Sequence, residues 1–206
     1  TQSPSSAASD VYKRQYMGSA RDVYEEGALI FPAVKVQSDY KDIQDIMNMC
    51  MMRIRVPDQW RGDYLAMLGA ARIGEKEIRR MGEELGWDSL QHHAEAWFDL
   101  CEAQMVKIIS GLKSGFESSV CTHDPLEGTP EGGIPAKAQV SVDSAKAIIE
   151  VDLTDNPDSL PVGVNLSEAC ARTAGMVGVI NSLPETLPVN AGTLRRIKVH
   201  LKKGCC

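Results

Sequence analysis

The stretch NLSEACARTAGMVGVINSLPETLPVNAGTLRR, from Asn165 to Arg196, carries the strongest structural signals in this chain. Asn165 and Glu168 have the spacing of a helix capping box, and the apolar residues that follow predict a helix from about Leu166 to Leu183. A proline-bounded loop comes next, and Asn190-Ala191-Gly192 predicts a turn in which Gly192 takes a positive φ. The stretch therefore predicts a capped helix that leads through a loop and a tight turn into a strand.

Three amphipathic helices are predicted upstream of this stretch. Apolar residues at helical spacing indicate one helix from Asp42 to Arg55 and a second from about Asp58 to Leu85. A third begins near Asp88, where Asp88 and Gln91 again have capping-box spacing, and it ends at Gly115. The first half of the chain is therefore expected to be helical.

The second of these helices has an apolar stripe and several glycines. The stripe is expected to face inward and consists of Trp60, Tyr64, Met67, Leu68, Ala71, Ile78, Met81 and Leu85. Glycine weakens a helix interior by about 1 kcal/mol relative to alanine. Gly62, Gly69 and Gly74 therefore predict that a neighbouring helix approaches the backbone closely.

Beyond Gly115 the apolar period changes from helical to alternating. Residues 138–142 predict one strand and residues 147–153 its partner, joined by a hairpin turn at 143–146. Loops rich in glycine and proline are predicted at 121–135 and 154–164. The expected fold class is α+β, with an amphipathic helical region followed by a mixed or antiparallel sheet and a packed helix, as a partial domain of a larger subunit.

The composition describes an ordinary globular protein. The chain has 206 residues, 43% of them hydrophobic and 24% charged, and a formal net charge of −6. This charge argues against a surface for nucleic acid or anionic membranes, because both need clustered lysine and arginine. No apolar run approaches the roughly 18 residues of a spanning helix, and no signal peptide is recognised. The predicted location is cytoplasmic.

Polar side chains crowd the end of the second predicted strand. Asp152 and Asp155 are of a type that serves as metal ligands or acid–base groups, but aspartate in such a position is also typical of a plain turn. Asn165 either caps a helix or marks a site for a developing oxyanion. Asn190 either forms a turn or holds a carbonyl substrate. Glu26 is the last candidate, with a solvated charge as its alternative.

The histidines and the known local motifs add little. The chain has no phosphate-binding loop and no nucleophile elbow, so no ATP site can be placed on it. His92 and His93 are adjacent on a helix and are expected at its exposed surface. His123-Asp124 lies in a predicted loop, where it could orient a base or join a metal site. His200 is expected to be a solvent-facing strand residue.

Three ordered runs of sequence resemble the hydantoinase B/oxoprolinase family. They are DVYEEGALIFPAVKV at Asp22–Val36, RVPDQWRGDYLAMLGAARIGEKEI at Arg55–Ile78, and the stretch Asn165–Arg196. The run from Tyr24 to Gly27, with Glu26, is similar to the family's acidic-glycine motif, although Phe31-Pro32-Ala33 departs from the usual Ile-Pro-Pro. Asn165 matches the asparagine that begins the family's late helix, and Asn190-Ala191-Gly192 matches its Asn-Ala-Gly turn.

The resemblance implies an activity, a partner and a cofactor. Family members pair this type of subunit with a hydantoinase A-type subunit that uses ATP, and together they open cyclic amides such as hydantoins or 5-oxoproline. Other members carboxylate simple ketones such as acetone, and some use a divalent metal. The implied function is therefore that of a B-type subunit of an ATP-dependent cyclic amide hydrolase, with ATP bound by the partner. A ketone carboxylase subunit is the alternative, and a non-catalytic scaffold or assembly segment is an alternative from another class.

The resemblance also bears on the boundaries of the chain. The first fifteen residues, TQSPSSAASDVYKRQ, match nothing in the family and resemble adapter-derived sequence, so residues 1–15 are expected to be non-native. Residues 16–206 are then a fragment of the hydantoinase B/oxoprolinase domain. The family's metal-binding segment normally precedes the acidic-glycine run, so no metal ligands are expected in this fragment.

Overall fold

The computed structural model describes residues 24–25, 31, 33–54, 56–184 and 187–204. The chain divides into two compact units, Thr1–Glu84 and Leu85–Cys206. The expected non-native segment 1–15 lies outside the described residues. None of the helices within the described ranges is long and apolar enough to cross a membrane.

The described part of the first unit consists of a hairpin and two helices. Strands β1 (Gln37–Ser38) and β2 (Lys41–Asp42) pair antiparallel, and both residues of the connecting turn have a positive φ. Such a turn matches the twist of a short hairpin. Helices α1 (Gln44–Arg53) and α2 (Pro57–Leu85) follow, within two residues of the predicted bounds at each end.

Burial on α1 agrees with the predicted apolar face, but burial on α2 does not. Met47 and Cys50 of α1 are buried, whereas along α2 the predicted inward stripe is buried only at Tyr64. Met67 is 63% exposed and Ile78 is 51% exposed. The prediction of an inward stripe is wrong for most of α2, because periodicity indicates which face prefers burial and does not supply an element to cover it.

Among the described residues, no neighbour lies close to three glycines of α2. A Cβ atom added at Gly62, Gly69 or Gly74 would meet no heavy atom within 4 Å among the described residues. The predicted close approach of a helix is therefore not found within the described part of the chain. Their helix-weakening effect is not offset by packing within the described part of this unit.

The second unit begins with α3 (Trp87–Ser110). Gly86 precedes it with a φ of 82° and no side-chain cap, so the predicted capping box at Asp88 and Gln91 is wrong. The helix ends at Ser110 rather than at Gly115, and Gly115 instead begins a strand. The inward side chains of α3 include the fully buried Met105 and Ile109.

A four-stranded sheet packs against α3. Its strands are β3 (Gly115–His123), β4 (Ile134–Asp143), β5 (Ile148–Asp152) and β6 (Ile197–His200), and they lie side by side in that order. The pairs β3–β4 and β4–β5 are antiparallel, and β5–β6 is parallel. The predicted hairpin of β4 and β5 and the predicted α+β class are confirmed. Strand β3 covers 115–123, where the sequence predicted a helix end and the start of a loop.

Two further helices complete the described part of the second unit. Helix α4 (Glu168–Ile180) connects β5 to a loop, and the short α5 (Ala191–Leu194) precedes β6. The parallel pairing of β5 and β6 fits this helical connection, since parallel strands need a long crossover. The core lies between one face of the sheet and the helices, and consists of Met105, Ile109, Ala147, Ile149, Val151, Val179, Leu187, Ile197 and Val199.

Candidate functional site

The face of the sheet opposite the core is polar. Successive side chains of a strand point to opposite faces, so the burial of Ile149, Val151, Ile197 and Val199 fixes the orientation of their neighbours. The neighbours on β5 are Glu150 and Asp152, and those on β6 are Lys198 and His200. The core positions of these strands therefore alternate with charged residues on the other side.

The strand register arranges the side chains of this face in two rows across the sheet. Gln139 on β4 pairs with Asp152 on β5, which pairs with His200 on β6. The adjacent row runs from Phe116 on β3 through Ser141 and Glu150 to Lys198. Side chains directly opposite on neighbouring strands lie about 5 Å apart, so members of one row can contact the same small molecule.

A cavity of about 230 Å³ lies on this face. We call it the sheet-face pocket; it is lined by Phe116, Gln139, Ser141, Glu150, Asp152 and His200. Another cavity, of about 50 Å³, lies in the first unit beside Tyr64. Of these two cavities, the sheet-face pocket is the one that combines room for a small organic ligand with groups suited to acid–base and hydrogen-bonding roles.

Hydrogen bonds fix the charge of the two carboxylates in the pocket. His200 Nε2 lies 3.2 Å and Lys198 Nζ 3.4 Å from the carboxylate of Glu150, and these contacts lower the pKa of Glu150. The hydroxyl and the backbone amide of Thr154 lower the pKa of Asp152, and that amide lies 2.8 Å from Asp152 Oδ1. Both carboxylates are therefore ionised at neutral pH.

The same contacts orient His200. An ionised carboxylate can only accept hydrogen bonds, so His200 Nε2 carries the proton that it shares with Glu150. The other ring nitrogen, Nδ1, is then the one that can accept a proton. The imidazole and Glu150 thus form a histidine–carboxylate pair whose tautomer is set by the carboxylate.

Among the described residues, Asp152 is the one sequence-predicted candidate that lines the pocket. Asp155, three residues further along the chain, forms an exposed ion pair with Lys137 at 2.9 Å and is not part of that lining. Asn156 accepts from the backbone amide of Lys137 and donates to the carbonyls of Lys137 and Leu153. Asn156 therefore links the turn after β5 to β4, and Asp155 pairs with the same strand at the surface.

Asn165 stabilises a loop and does not cap a helix. Its side chain accepts from the amide of Leu160 and donates to the carbonyls of Leu160 and Val162. The N-cap of α4 is Ser167, whose hydroxyl accepts from the amide of Cys170 at 3.3 Å. The predicted helix is present, and it begins two residues later than predicted. The predicted capping box is wrong, because two residues able to cap lie close together and the loop uses the first one.

Asn190 caps α5 and packs on α3. Its Oδ1 accepts from the amides of Gly192 and Thr193, and its Nδ2 donates to Cys101 Sγ at 3.0 Å. Gly192 belongs to α5 and has no positive φ, so the predicted tight turn is wrong. Glycine is required there for a different reason, since a Cβ would overlap the backbone carbonyl of Phe98.

The remaining candidates lie elsewhere. Glu26 is outside the described residues. His92 and His93 are exposed on α3, as predicted. His123 ends β3 rather than lying in a loop, and its Nδ1 lies 2.7 Å from the carbonyl oxygen of Asp124.

Most residues of the sheet-face pocket could not be predicted from the sequence as neighbours. His200 was predicted as a solvent-facing strand residue and is exposed, but its position beside Glu150 and Asp152 depends on the parallel register of β5 and β6. Alternation of polar and apolar residues in both strands was a visible signal for the polar face. Which residues stand side by side on that face could not be obtained from alternation.

The described residues do not form a metal site. No three side chains of histidine, cysteine, aspartate or glutamate come together in a metal-binding arrangement within the described ranges. His200, Glu150 and Asp152 share the sheet-face pocket, but their geometry is that of an ion pair and a turn contact. The residues present therefore support hydrogen bonding and orientation of a ligand.

The sequence profile for hydantoinase B/oxoprolinase matches residues 13–206, and the chain belongs to this family. It is 24% identical over 187 residues to the beta subunit of a caprolactamase from Pseudomonas jessenii, covering 90% of this chain and 31% of that protein. It is 27% identical over 196 residues to the B-type subunit of a putative D-/L-hydantoinase from Pseudomonas sp. (strain NS671), covering 90% of this chain and 32% of that protein.

The fold is also similar to a solved structure. The crystal structure of ATP-dependent caprolactamase from Pseudomonas jessenii superposes with a TM-score of 0.78 at 23% identity, over 92% of this chain and 32% of that one. The chain therefore spans about a third of the length of the relatives it matches. The resemblance to the family found in the sequence is confirmed.

Proposed function

We propose that this chain is part of a B-type subunit of an ATP-dependent hydrolase that opens cyclic amides such as lactams or hydantoins. The observation that carries the proposal is the family match over residues 13–206, together with two relatives whose names specify a caprolactamase and a hydantoinase. Both names denote opening of a ring amide. The polar sheet-face pocket supports the proposal, because its groups can bind an amide.

The proposal includes a partner and a nucleotide. Both relatives are named as one subunit of a larger enzyme, and the caprolactamase of known structure is named as ATP-dependent. We place ATP on a hydantoinase A-type subunit, as the resemblance to the family implies, and residues 1–206 contain no phosphate-binding loop. A divalent metal, if the enzyme uses one, is proposed to bind outside residues 16–206.

The division of labour has a chemical reason. An amide nitrogen is a poor leaving group, and phosphorylation of the amide oxygen by the partner would make the ring carbon electrophilic enough for water. The B-type subunit would then hold the activated ring and stabilise the charge that develops on it. Side chains fixed on a sheet are suited to this role, because their positions are set before the ligand binds.

The test is an assay of the intact subunit together with its ATP-using partner. We expect ring-opened product from ε-caprolactam, a hydantoin or 5-oxoproline, formed in step with ADP. ATP hydrolysis that requires a ketone and bicarbonate, without ring opening, would instead support the ketone carboxylase. Absence of both activities in a correctly assembled complex would contradict the proposal.

A scaffold or assembly role is the second candidate, and one observation favours it. Apolar side chains of α2, among them Met67, Ile73 and Ile78, are more than half exposed. Replacement of Met67 and Ile78 by serine in the intact subunit would weaken assembly with the partner if this segment serves assembly. Variants of the sheet-face pocket would leave turnover unchanged in that case, whereas a catalytic role predicts lost turnover with assembly intact.

A further inference from the structure

We propose that the sheet-face pocket binds a small, electrically neutral cyclic amide and discriminates against anionic rings. The inference rests on the proposed function and adds to it a location for the ring and a preference among substrates. Three observations carry it: the hydrogen-bonding groups of the pocket, its exposed aromatic ring, and its charge.

The hydrogen-bonding groups match the edge of a ring amide. A lactam presents an N–H donor and a carbonyl acceptor side by side, because its amide is held cis within the ring. In the row Gln139–Asp152–His200, the acceptor Asp152 stands directly opposite Gln139, whose side-chain NH₂ can donate. The N–H of a lactam can therefore donate to Asp152 while its carbonyl accepts from the side-chain amide of Gln139.

The aromatic ring provides an apolar surface beside these groups. Phe116 lines the pocket at the end of the second row, next to Ser141, and is 61% exposed. An exposed phenyl ring beside polar groups is suited to the methylene carbons of a lactam. A ligand with one polar edge and one apolar edge fits this combination better than a fully polar one.

The charge of the pocket disfavours anions. Glu150 and Asp152 are both ionised, and Lys198, 3.4 Å from Glu150, offsets only one of the two negative charges. A ring with its own carboxylate, such as 5-oxoproline, would add a third negative charge at close range. A neutral lactam avoids this repulsion, as does a neutral hydantoin.

The first measurement is the binding of neutral and anionic rings to the intact subunit. Titration calorimetry with ε-caprolactam and with 5-oxoproline at neutral pH is expected to give at least about tenfold tighter binding of ε-caprolactam. Tighter binding of 5-oxoproline would overturn the charge argument. Equal binding of both rings would overturn it as well.

Variants then locate the site. Asp152→Asn keeps an oxygen for the amide of Thr154, so the fold is retained while the charged acceptor for the ligand is lost. We expect its Kd for ε-caprolactam to rise about tenfold, and that of Phe116→Ala to rise severalfold. The matched controls Asp155→Asn and His92→Ala lie outside the pocket and are expected to bind within about twofold of the parent.

The outcomes separate this inference from the proposed function. If the complex opens lactams but Asp152→Asn and Phe116→Ala leave both Kd and KM unchanged while folded, the pocket assignment is wrong and the proposed function stands. If the intact complex neither binds nor opens any cyclic amide, the proposed function itself fails and this inference with it. Thermal unfolding of each variant confirms that the comparison is made between folded proteins.

Discussion

Gly192 is the residue at which α5 meets the backbone of α3. A side chain there would overlap the carbonyl of Phe98, and a backbone atom cannot move aside as a flexible side chain can. We expect Gly192→Ala to lower the free energy of unfolding by about 3 kcal/mol or more, since insertion of atoms into close packing costs about 1–3 kcal/mol even where side chains can adjust. Denaturant unfolding of the chain measures this value.

A second glycine provides the control for this prediction. Gly178 lies in α4, and a Cβ added there would meet nothing within 4 Å among the described residues. Because alanine favours a helix over glycine by about 1 kcal/mol, Gly178→Ala is expected to stabilise the chain slightly. A destabilisation of similar size at both glycines would show that contact with Phe98 is not the cause.

Glu102 links α3 to the residues just before β6. It accepts from Arg195 at 2.8 Å and from Arg196 at 2.6 Å, and its side chain is 21% exposed. These hydrogen bonds hold the pKa of Glu102 below its usual value of 4.5, and the bond from Arg195 has the largest effect. Glu102 thus partly neutralises the two arginines just before β6. We expect Glu102→Gln to lower the free energy of unfolding at pH 7 by about 1 kcal/mol.

The lowered pKa also predicts a pH dependence. The folded state prefers the ionised form, so this contribution is present at neutral pH and is lost as the pH falls below about 4.5 through the pKa of the folded state. The difference between the parent and Glu102→Gln should therefore shrink in acid. The control Glu117→Gln on β3 is expected to change the free energy at pH 7 by less than about 0.5 kcal/mol. A difference that stays constant down to pH 3 would contradict the assignment.

At the scale of elements, α4 approaches the sheet closely through a small residue. A Cβ at Gly175 would lie 3.0 Å from one methyl group of Val199 and 3.2 Å from the other, and Val199 is buried. We expect the Gly175→Ala variant to be less stable than the Gly178→Ala variant by about 1 kcal/mol. Both substitutions gain helix propensity, but of the two positions only Gly175 faces β6. In the background Val199→Ala this penalty should disappear, and a double-mutant cycle that gives no coupling would exclude the contact as its cause.

The elements differ in how far they could be predicted from the sequence. Helices α1 and α2 and the hairpin β4–β5 were predicted because their signals are local, namely periodicity and turn residues. Strand β3 could not be predicted because all its residues are exposed, so its sequence shows no alternation of apolar and polar residues. Strand β3 is held by its hydrogen bonds to β4, and the residues of β3 alone do not indicate this pairing.

The helix caps show the same limit. Asn165 and Ser167 lie two residues apart and both residue types favour an N-cap, so spacing alone does not decide between them. The decision depends on the loop before α4, where carbonyls of Leu160 and Val162 accept from the Asn165 amide. Tertiary context therefore assigns Asn165 to the loop and leaves Ser167 as the cap.

At the scale of the whole molecule, the candidate site depends on pairings between residues far apart in the sequence. Asp152 could be predicted as polar at a strand end, but His200 joins it only through the crossover that makes β5 and β6 parallel neighbours. Ser141 and Phe116 join through two antiparallel pairings. The polar face could be predicted from the alternation of polar and apolar residues. Which of these residues line one pocket depends on the strand register, which the sequence does not show.

The distribution of buried residues predicts where the chain is most resistant to local opening. The core cluster lies in the second unit, on α3, β5 and β6 and the segments beside them, whereas residues 70–80 of α2 are all exposed. Amide hydrogens in buried, paired elements exchange only when much of the unit opens, while exposed elements open locally. In hydrogen exchange followed by mass spectrometry, we expect amides of β5 and β6 to exchange at least about a hundredfold more slowly than those of residues 70–80, a difference of roughly 3 kcal/mol in opening free energy.

Strand β3 is the internal control, because it belongs to the same sheet but is exposed along its length and should exchange faster than β5. Equal protection of β3, β5 and α2 would mean that the core cluster does not set the stability of this chain.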